Sequence, residues 1–274
     1  MLNSTAELII FNNQFLAIKD IKACQNTHTI TVYEVVRLID GVPLFWEGHW
    51  KRLQNSLNAI KSKVKLDKAK FERSFLEFIK QNNCLNTNIR IEIFEENILV
   101  YIIQAEYPTT SNYKEGVNIN FTEDIRVNPT RKILRRNWKK IMERKINNAG
   151  VFESLLINKE GLITEGSHTN VFFIKGNSIF SADEELILPG ITRLEILKIA
   201  SAENISLEYV SLRKENISNY DAAFLCATSY HILPIAHVDN QHYNINHPTL
   251  QILMNAFKVH LEREIKMTSL KWKI

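Results

Sequence analysis

Three short turn signals, each set between two runs of apolar and β-branched residues, constrain this chain more than any other feature. Glu95-Glu96-Asn97 separates IRIEIF (89–94) from ILVYIIQ (98–104), Lys159-Glu160-Gly161 lies inside FESLLINKEGLITE, and Lys175-Gly176-Asn177 lies inside NVFFIKGNSIFS. Runs of this kind around such turns read as β-hairpins, so the chain builds antiparallel sheet on both sides of its midpoint. Between the hairpins the period changes. From Pro43 onward His49, Leu53, Leu57, Ile60 and Val64 fall on one helical stripe, and DKAKFERSFLEFIKQ (67–81) is a second helix with Asp67 as its N-cap. Segments 131–148, 192–204 and 249–265 read as further helices, and 7–11, 30–38, 117–125 and 222–227 as further strands. The fold class is α+β.

A chain of 274 residues exceeds the ~100–200 residues usual for one domain. The turn-rich stretch EYPTTSNYKEG (106–116) is the natural linker, which gives a smaller N-terminal α+β domain over 1–112 and a larger C-terminal domain over 113–274, mostly antiparallel sheet with helices attached. With 45% hydrophobic and 23% charged residues, the composition is that of a soluble globular protein. The net charge of +4 is spread among acids along most of the chain and argues against nucleic-acid binding. One dense basic run, RKILRRNWKK (131–140), reads as a solvated face, an anion site or a phosphate-backbone contact. Cys24, Cys84 and Cys226 are far apart and form no CxxC pair, so neither a disulfide framework nor a thiolate metal site is indicated, and no metal is expected. The opening MLNSTAELIIFNNQFLAIKD has no basic leader before its apolar patch, and no run reaches the ~18 apolar residues of a membrane span. A cytoplasmic location and no membrane association are expected.

Four features each offer what an anionic or phosphorylated ligand needs. PGITR (189–193) sets the backbone amides of Ile191 and Thr192, and the Thr192 hydroxyl, at a helix start, where they serve as an anion seat or, for Thr192, as a plain N-cap. CATSY (226–230) ends a buried strand with the adjacent hydroxyls Thr228 and Ser229, an anion cradle or a polar strand end. His49 and Arg52 stand three apart on the stripe-bearing helix and share its apolar face. An arginine aimed inward needs a partner, such as a bidentate phosphate, unless it snorkels to the surface. Finally, Glu165 opens TEGSHTNVFF at the mouth of a strand. It is a solvated turn residue, or else a buried acid that must face a cation or a protonated ring nitrogen.

The set YEVVRLIDG (33–41), GHWKRL (48–53), EGSHTNVFFIKG (165–176), LPGITR (188–193) and ATSYHILPI (227–235), in this order and at these intervals, resembles the class IV, or fold-type-IV, pyridoxal-phosphate aminotransferases. That family includes branched-chain and D-amino-acid aminotransferases and aminodeoxychorismate lyases. The resemblance covers roughly residues 30 to 240 and is most specific from Glu165 through Thr192. It implies a C-terminal domain built as a β pseudo-barrel, pyridoxal 5'-phosphate as cofactor, amino-acid and oxo-acid substrates, and a homodimer.

Carried over position by position, the resemblance makes Glu165 the partner of the pyridine nitrogen. Arg52, Ile191, Thr192 and Thr228 become the phosphate ligands, and Tyr33 and Ser229 substrate contacts. Lys132, 33 residues before Glu165 in TRKILRRNW, becomes the Schiff-base lysine, at the start of the helix that precedes FESLLI. Lys139 and Lys140 fit that spacing poorly. Arg136 stands where some members carry a Tyr that contacts the ring hydroxyl. The run His28-Thr29-Ile30-Thr31-Val32 replaces a Gly-rich turn, and 83–110 holds no RxxxR or RxH pattern for a substrate carboxylate. The implied activity is transamination between an amino acid and a 2-oxo acid. A lyase releasing pyruvate from aminodeoxychorismate, or a catalytically altered cofactor-binding member, stand as alternatives.

Overall fold

The structure, a computed structural model, describes residues 7–20 and 30–273, with the side chain of residue 20 outside that set. Cys24 and the start of the run at His28 lie outside the described residues. The chain forms two compact units. The first comprises residues up to Glu106, Arg131–Leu134 and the residues from Glu262 on; the second comprises Tyr107–Thr130 and Arg135–Leu261.

The first unit is an antiparallel sheet of β1 (Leu8–Phe11), β2 (Gln14–Ala17), β3 (Thr31–Ile39), β4 (Val42–Pro43), β5 (Asn88–Phe94) and β6 (Asn97–Ile103), in the order β2-β1-β6-β5-β3-β4. Two of its hairpins turn on consecutive left-handed residues, Asn12-Asn13 and Asp40-Gly41, the geometry that matches the twist of paired strands. Helices α1 (Trp46–Ala59) and α2 (Lys68–Gln81) contribute to a core with Val36, Ile89, Ile91 and Val100 of the sheet, built on their side from Leu53, Leu57, Phe71, Phe75 and Phe78. Asp67 caps α2 as its sequence position predicts, its carboxylate accepting from the Lys70 amide at 3.0 Å. Helix α1 is shorter than its apolar stripe. It stops at Ala59, Lys61 takes a left-handed conformation, and Ile60 and Val64 reach the core from the loop. A smaller apolar cluster of Ile9, Phe94, Leu99 and Tyr101 forms separately from that core.

The second unit opens with α3 (Thr110–Glu115), a short helix inside the stretch whose composition suggests a linker. It forms because Thr109 and Asn112 make a reciprocal capping box. There follow β7 (Val117–Glu123), α4 (Arg136–Ala149), β8 (Glu153–Ile157), β9 (Ile163–Gly166), β10 (Asn170–Lys175), β11 (Ser178–Ser181), α5 (Ile191–Ala202), β12 (Ser206–Tyr209), β13 (Ala222–Ala227), β14 (His231–Val238), β15 (Gln241–His242) and α6 (Pro248–Trp272). The sheet runs β12-β11-β10-β13-β14-β7-β8-β9, with β15 beside β14. Its last strand, β9, passes through Ser167–Thr169 straight into β10, the third strand of the order. So short a connection brings the two strands side by side and curls the sheet into a pseudo-barrel. Parallel pairs join β7 to β8, β7 to β14 and β11 to β12, within a sheet that is otherwise antiparallel. Among the described residues no helix is long and apolar enough to cross a membrane.

Candidate active site

Helix α1 buries Trp46, His49, Arg52, Leu53, Ser56 and Leu57, one face at the helical period, so Arg52 is carried inward and does not snorkel. Its interior partner is Glu34 of β3. The Arg52 Nε donates to Glu34 Oε1 at 2.8 Å and Nη2 to Oε2 at 2.6 Å, while His49 Nδ1 lies 2.8 Å from Oε2. Burial alone would raise the Glu34 carboxyl above its usual range, but the charge and hydrogen bonds of Arg52, helped by His49, outweigh it and hold the pKa at about 2. Burial also pushes His49 below its usual value, so its imidazole is neutral at pH 7. Because Glu34 only accepts, Nδ1 carries the His49 proton.

Lys132 belongs to this same unit and is not helical. Helix α4 begins only at Arg136, and the segment before it is non-helical, with the Ile133 amide donating to the Arg131 carbonyl at 3.0 Å and Ile133 bridged to Val32 of β3. The Tyr33 amide donates to the Lys132 carbonyl at 3.0 Å, the Leu134 amide donates to Thr31 at 2.8 Å, and the Lys132 amide donates to Ser56 Oγ at 3.4 Å. These bonds hold the backbone on both sides of the lysine, and its Nζ sits 5.0 Å from the centre of the Tyr33 ring. The neighbouring cations are placed differently. Lys139 pairs with Glu143 along α4 at 3.4 Å, and Lys140 is exposed.

In the second unit, Glu165 closes β9 with 1% of its surface exposed. Its Oε2 accepts from Asn170 Nδ2 at 3.3 Å and from the Leu188 amide at 3.1 Å, and its Oε1 lies 2.9 Å from Arg126 Nε. Arg126 also donates to the Ser167 carbonyl at 2.9 Å and stands over Trp138, so one arginine ties the acid to the turn that follows it. The polar residues of that turn are organised from beneath by Glu153 of β8. Its buried carboxylate accepts from the amides of Ser154, Ser167 and His168 and from the hydroxyls of Ser167 and Thr169. A side chain at Gly166 would place its Cβ 2.1 Å from Thr169 Oγ1, so Thr169 would have to leave its place for any larger residue to fit.

Helix α5 starts beside that turn. Asn170 Nδ2 also donates to the Leu188 carbonyl at 3.0 Å, and its Oδ1 would lie 2.0 Å from a Cβ at Gly190. Gly190 is the N-cap and makes no side-chain capping bond, which leaves the amides of Ile191 and Thr192 in the uncapped first turn. Thr192 is therefore not the N-cap. Its Oγ1 is buried with no hydrogen-bond partner among the described residues. Such a hydroxyl is rare unless a ligand completes it. The helix packs on β13, and Thr228 and Ser229 sit half-buried in the turn that leaves that strand.

The sequence reading missed Arg126, Glu34 and Glu153. The acids were findable in principle, because each lies in a strand otherwise apolar and a buried acid demands donors. Arg126 gives no such signal, standing between Ile125 and Val127 in a segment without period.

A helix-backed antiparallel unit and a curled second sheet are the fold of the fold-type-IV aminotransferases. The branched-chain amino acid aminotransferase of T.th., solved with pyridoxamine 5'-phosphate, has this fold at a TM-score of 0.84, with 20% identity and coverage of 96% of this chain and 95% of that one. A putative 4-amino-4-deoxychorismate lyase of Legionella pneumophila has it at a TM-score of 0.76, with 21% identity and coverage of 85% and 91%. In sequence, D-alanine aminotransferase of Bacillus licheniformis is 25% identical over 225 residues, 77% of this chain and 79% of that protein. The family model for amino-transferase class IV matches residues 31–238. The chain belongs to the class IV aminotransferase family.

Proposed function

We propose that this protein moves an amino group between an amino acid and a 2-oxo acid, with pyridoxal 5'-phosphate as cofactor. The observation that carries the reading is Thr192: a buried hydroxyl without a partner, in the first turn of a helix capped only by glycine. A phosphate oxygen satisfies that hydroxyl and the amides of Ile191 and Thr192 together, and the helix dipole favours its charge. Thr228 adds a second hydroxyl. Arg52 is the further phosphate ligand that the resemblance implies; Glu34 takes up its Nε and Nη2 and balances its charge, so it offers only its remaining N–H groups as donors. The donor set therefore fits a phosphorylated cofactor. When bound, that group supplies an electron sink for the pair left at the substrate α-carbon as its proton departs.

The chain's own residues do the rest. Glu165 would accept the ring N–H and keep the nitrogen protonated, with Arg126 and Asn170 holding its carboxylate in place for that task. Lys132 would hold the cofactor through Nζ, and its free amine would take and return the substrate α-proton as general base and acid. Tyr33 and Ser229 contact the substrate.

The test is a spectrum of the purified protein followed by borohydride reduction and peptide mapping. Cofactor absorbance that bleaches with an amino-acid donor, and a reduced label on Lys132, are the expected results. Label on Lys139 or Lys140 overturns the assignment of the lysine. Pyruvate release from aminodeoxychorismate without amino transfer replaces the transaminase by a lyase.

A further inference from the structure

The carboxylate chemistry of the first unit points to the charge of the substrate side chain. In β5, Arg90 and Glu92 are side-chain neighbours on one face of the strand, 8% and 0% exposed. Arg90 Nε lies 3.0 Å from Glu92 Oε1, and the Tyr101 hydroxyl donates to the same oxygen at 2.7 Å. The Arg90 guanidinium carbon is 4.7 Å from the centre of the Tyr33 ring, the ring that Lys132 Nζ approaches to 5.0 Å. Since each cation lies within 5.0 Å of one ring centre, the two are at most about 10 Å apart. Arg90 is therefore close enough to Lys132 for a substituent of an amino acid reacting there to reach it.

An arginine so placed is the natural anchor for a second carboxylate, because its fork matches that group in two parallel bonds. In this chain the Nε of that fork already faces a carboxylate, that of Glu92. Glu92 is fully buried, cannot swing to solvent, and is held by Tyr101, so the pair carries no net charge. A dicarboxylic substrate would bring a second anion against a fixed one, at a separation where like charges repel strongly in a dry interior. An apolar or otherwise uncharged side chain meets no such penalty and lies against Tyr33.

We infer that Glu92 is a specificity-determining residue: by neutralising Arg90 it restricts the amino donor to amino acids with uncharged side chains and excludes dicarboxylates. The inference rests on the aminotransferase reading above and deepens it.

Single-turnover spectra of the holoenzyme with leucine, alanine, glutamate and aspartate, both enantiomers each, test it, together with calorimetric titration of glutarate, a dicarboxylate that has no group to react. The parent should bleach with at least one neutral donor about tenfold or more faster than with either acid, and should show no glutarate binding. Glu92→Gln keeps the shape and removes the charge. It should raise the acid-to-neutral ratio about tenfold or more and confer glutarate binding. Tyr101→Phe, which removes only the hydroxyl that fixes Glu92, should shift the ratio the same way by less, and it serves if the first variant does not fold. A parent that takes glutamate as fast as the neutral donors, or variants with an unchanged ratio and no glutarate binding, overturn the role of Glu92 and leave the aminotransferase reading standing. A holoenzyme inert to every donor removes both.

Discussion

Replacing Arg126 by Met should destabilise the protein by about 3–5 kcal/mol, the range for breaking a buried ion pair by removing one partner. Methionine keeps the length of the stem and loses the charge. The side chains of Arg126 and Glu165 are 11% and 2% exposed, so water replaces little of what is lost. Glu165 would keep Asn170 Nδ2 at 3.3 Å and the Leu188 amide at 3.1 Å, while Ser167 would lose the donor to its carbonyl at 2.9 Å. Two neutral donors at those lengths cannot offset a counter-ion at 2.9 Å. Urea unfolding followed by far-ultraviolet circular dichroism measures the loss. With a slope of roughly 2–3 kcal/mol per molar, the midpoint should fall by about 1–2 M. The double variant with Glu165→Gln separates the pair from its surroundings, because it leaves no buried charge uncompensated. Its loss should be smaller than the sum of the two single losses by about 1.5–3 kcal/mol. A single-variant loss below about 0.5 kcal/mol, or strictly additive losses, would falsify the claim that Arg126 holds Glu165.

Two further outcomes follow from contacts already described. Gly190→Ala sets a Cβ 2.0 Å from Asn170 Oδ1, so Asn170 must leave its bonds to Glu165 and Leu188, and a loss of about 1–3 kcal/mol is expected in the same assay. A variant as stable as the parent would show that the turn can open at no cost. The second concerns acid. Glu34 titrates at about 2 in the folded chain against 4.5 as its ordinary value, so its contribution is complete above pH 4.5 and is lost as the pH falls toward 2. His49, whose folded pKa is lowered by burial, adds a loss that begins below its ordinary 6.5, since the unfolded imidazole takes up a proton that the buried one refuses. The urea midpoint of the parent should therefore drop from about pH 4.5 toward pH 2 more steeply than that of Glu34→Gln. Parallel profiles would count against the Glu34 cluster as the source.

Local patterns carried most of what was legible in the sequence. The hairpin turns, the Asp67 cap and AAFLCA as β13 depend on residues within a few positions of one another, and all three stand in the structure where the pattern sets them. The sequence alone places Lys132 at the start of a helix, because RKILRRNWKK lies on the amphipathic segment 131–148. What overrides that period is the bridge from Ile133 to Val32, a partner about a hundred residues earlier that no window could contain. Strand β14 drew no assignment because Pro234 interrupts HILPIAHV. The proline is accommodated beside a shift of register between Ile235 and His237 in the pairing with β7. The acid Glu165 stood out from its position at the mouth of a strand, whereas its cation, Arg126, comes from 39 residues upstream in a segment with no pattern to read.

The first unit is not a continuous length of chain, and this orders events during synthesis. Its core contains Trp272, which meets Trp46 edge-on at 5.4 Å and Phe75 at 6.2 Å, and the Phe45 amide ahead of α1 is satisfied by Glu264 at 3.1 Å. Both later residues leave the ribosome after every residue of the second unit has been made. The nascent N-terminal sheet and its two helices must therefore wait with the slot beside Trp46 unfilled while the 169 residues from Gln104 to Trp272 are translated, whereas the strip along β3 is paired as soon as Ile133 follows. Segments that fold N-terminal first complete themselves as they emerge. This unit cannot, and its slot by Trp46 stays open until Trp272 is made.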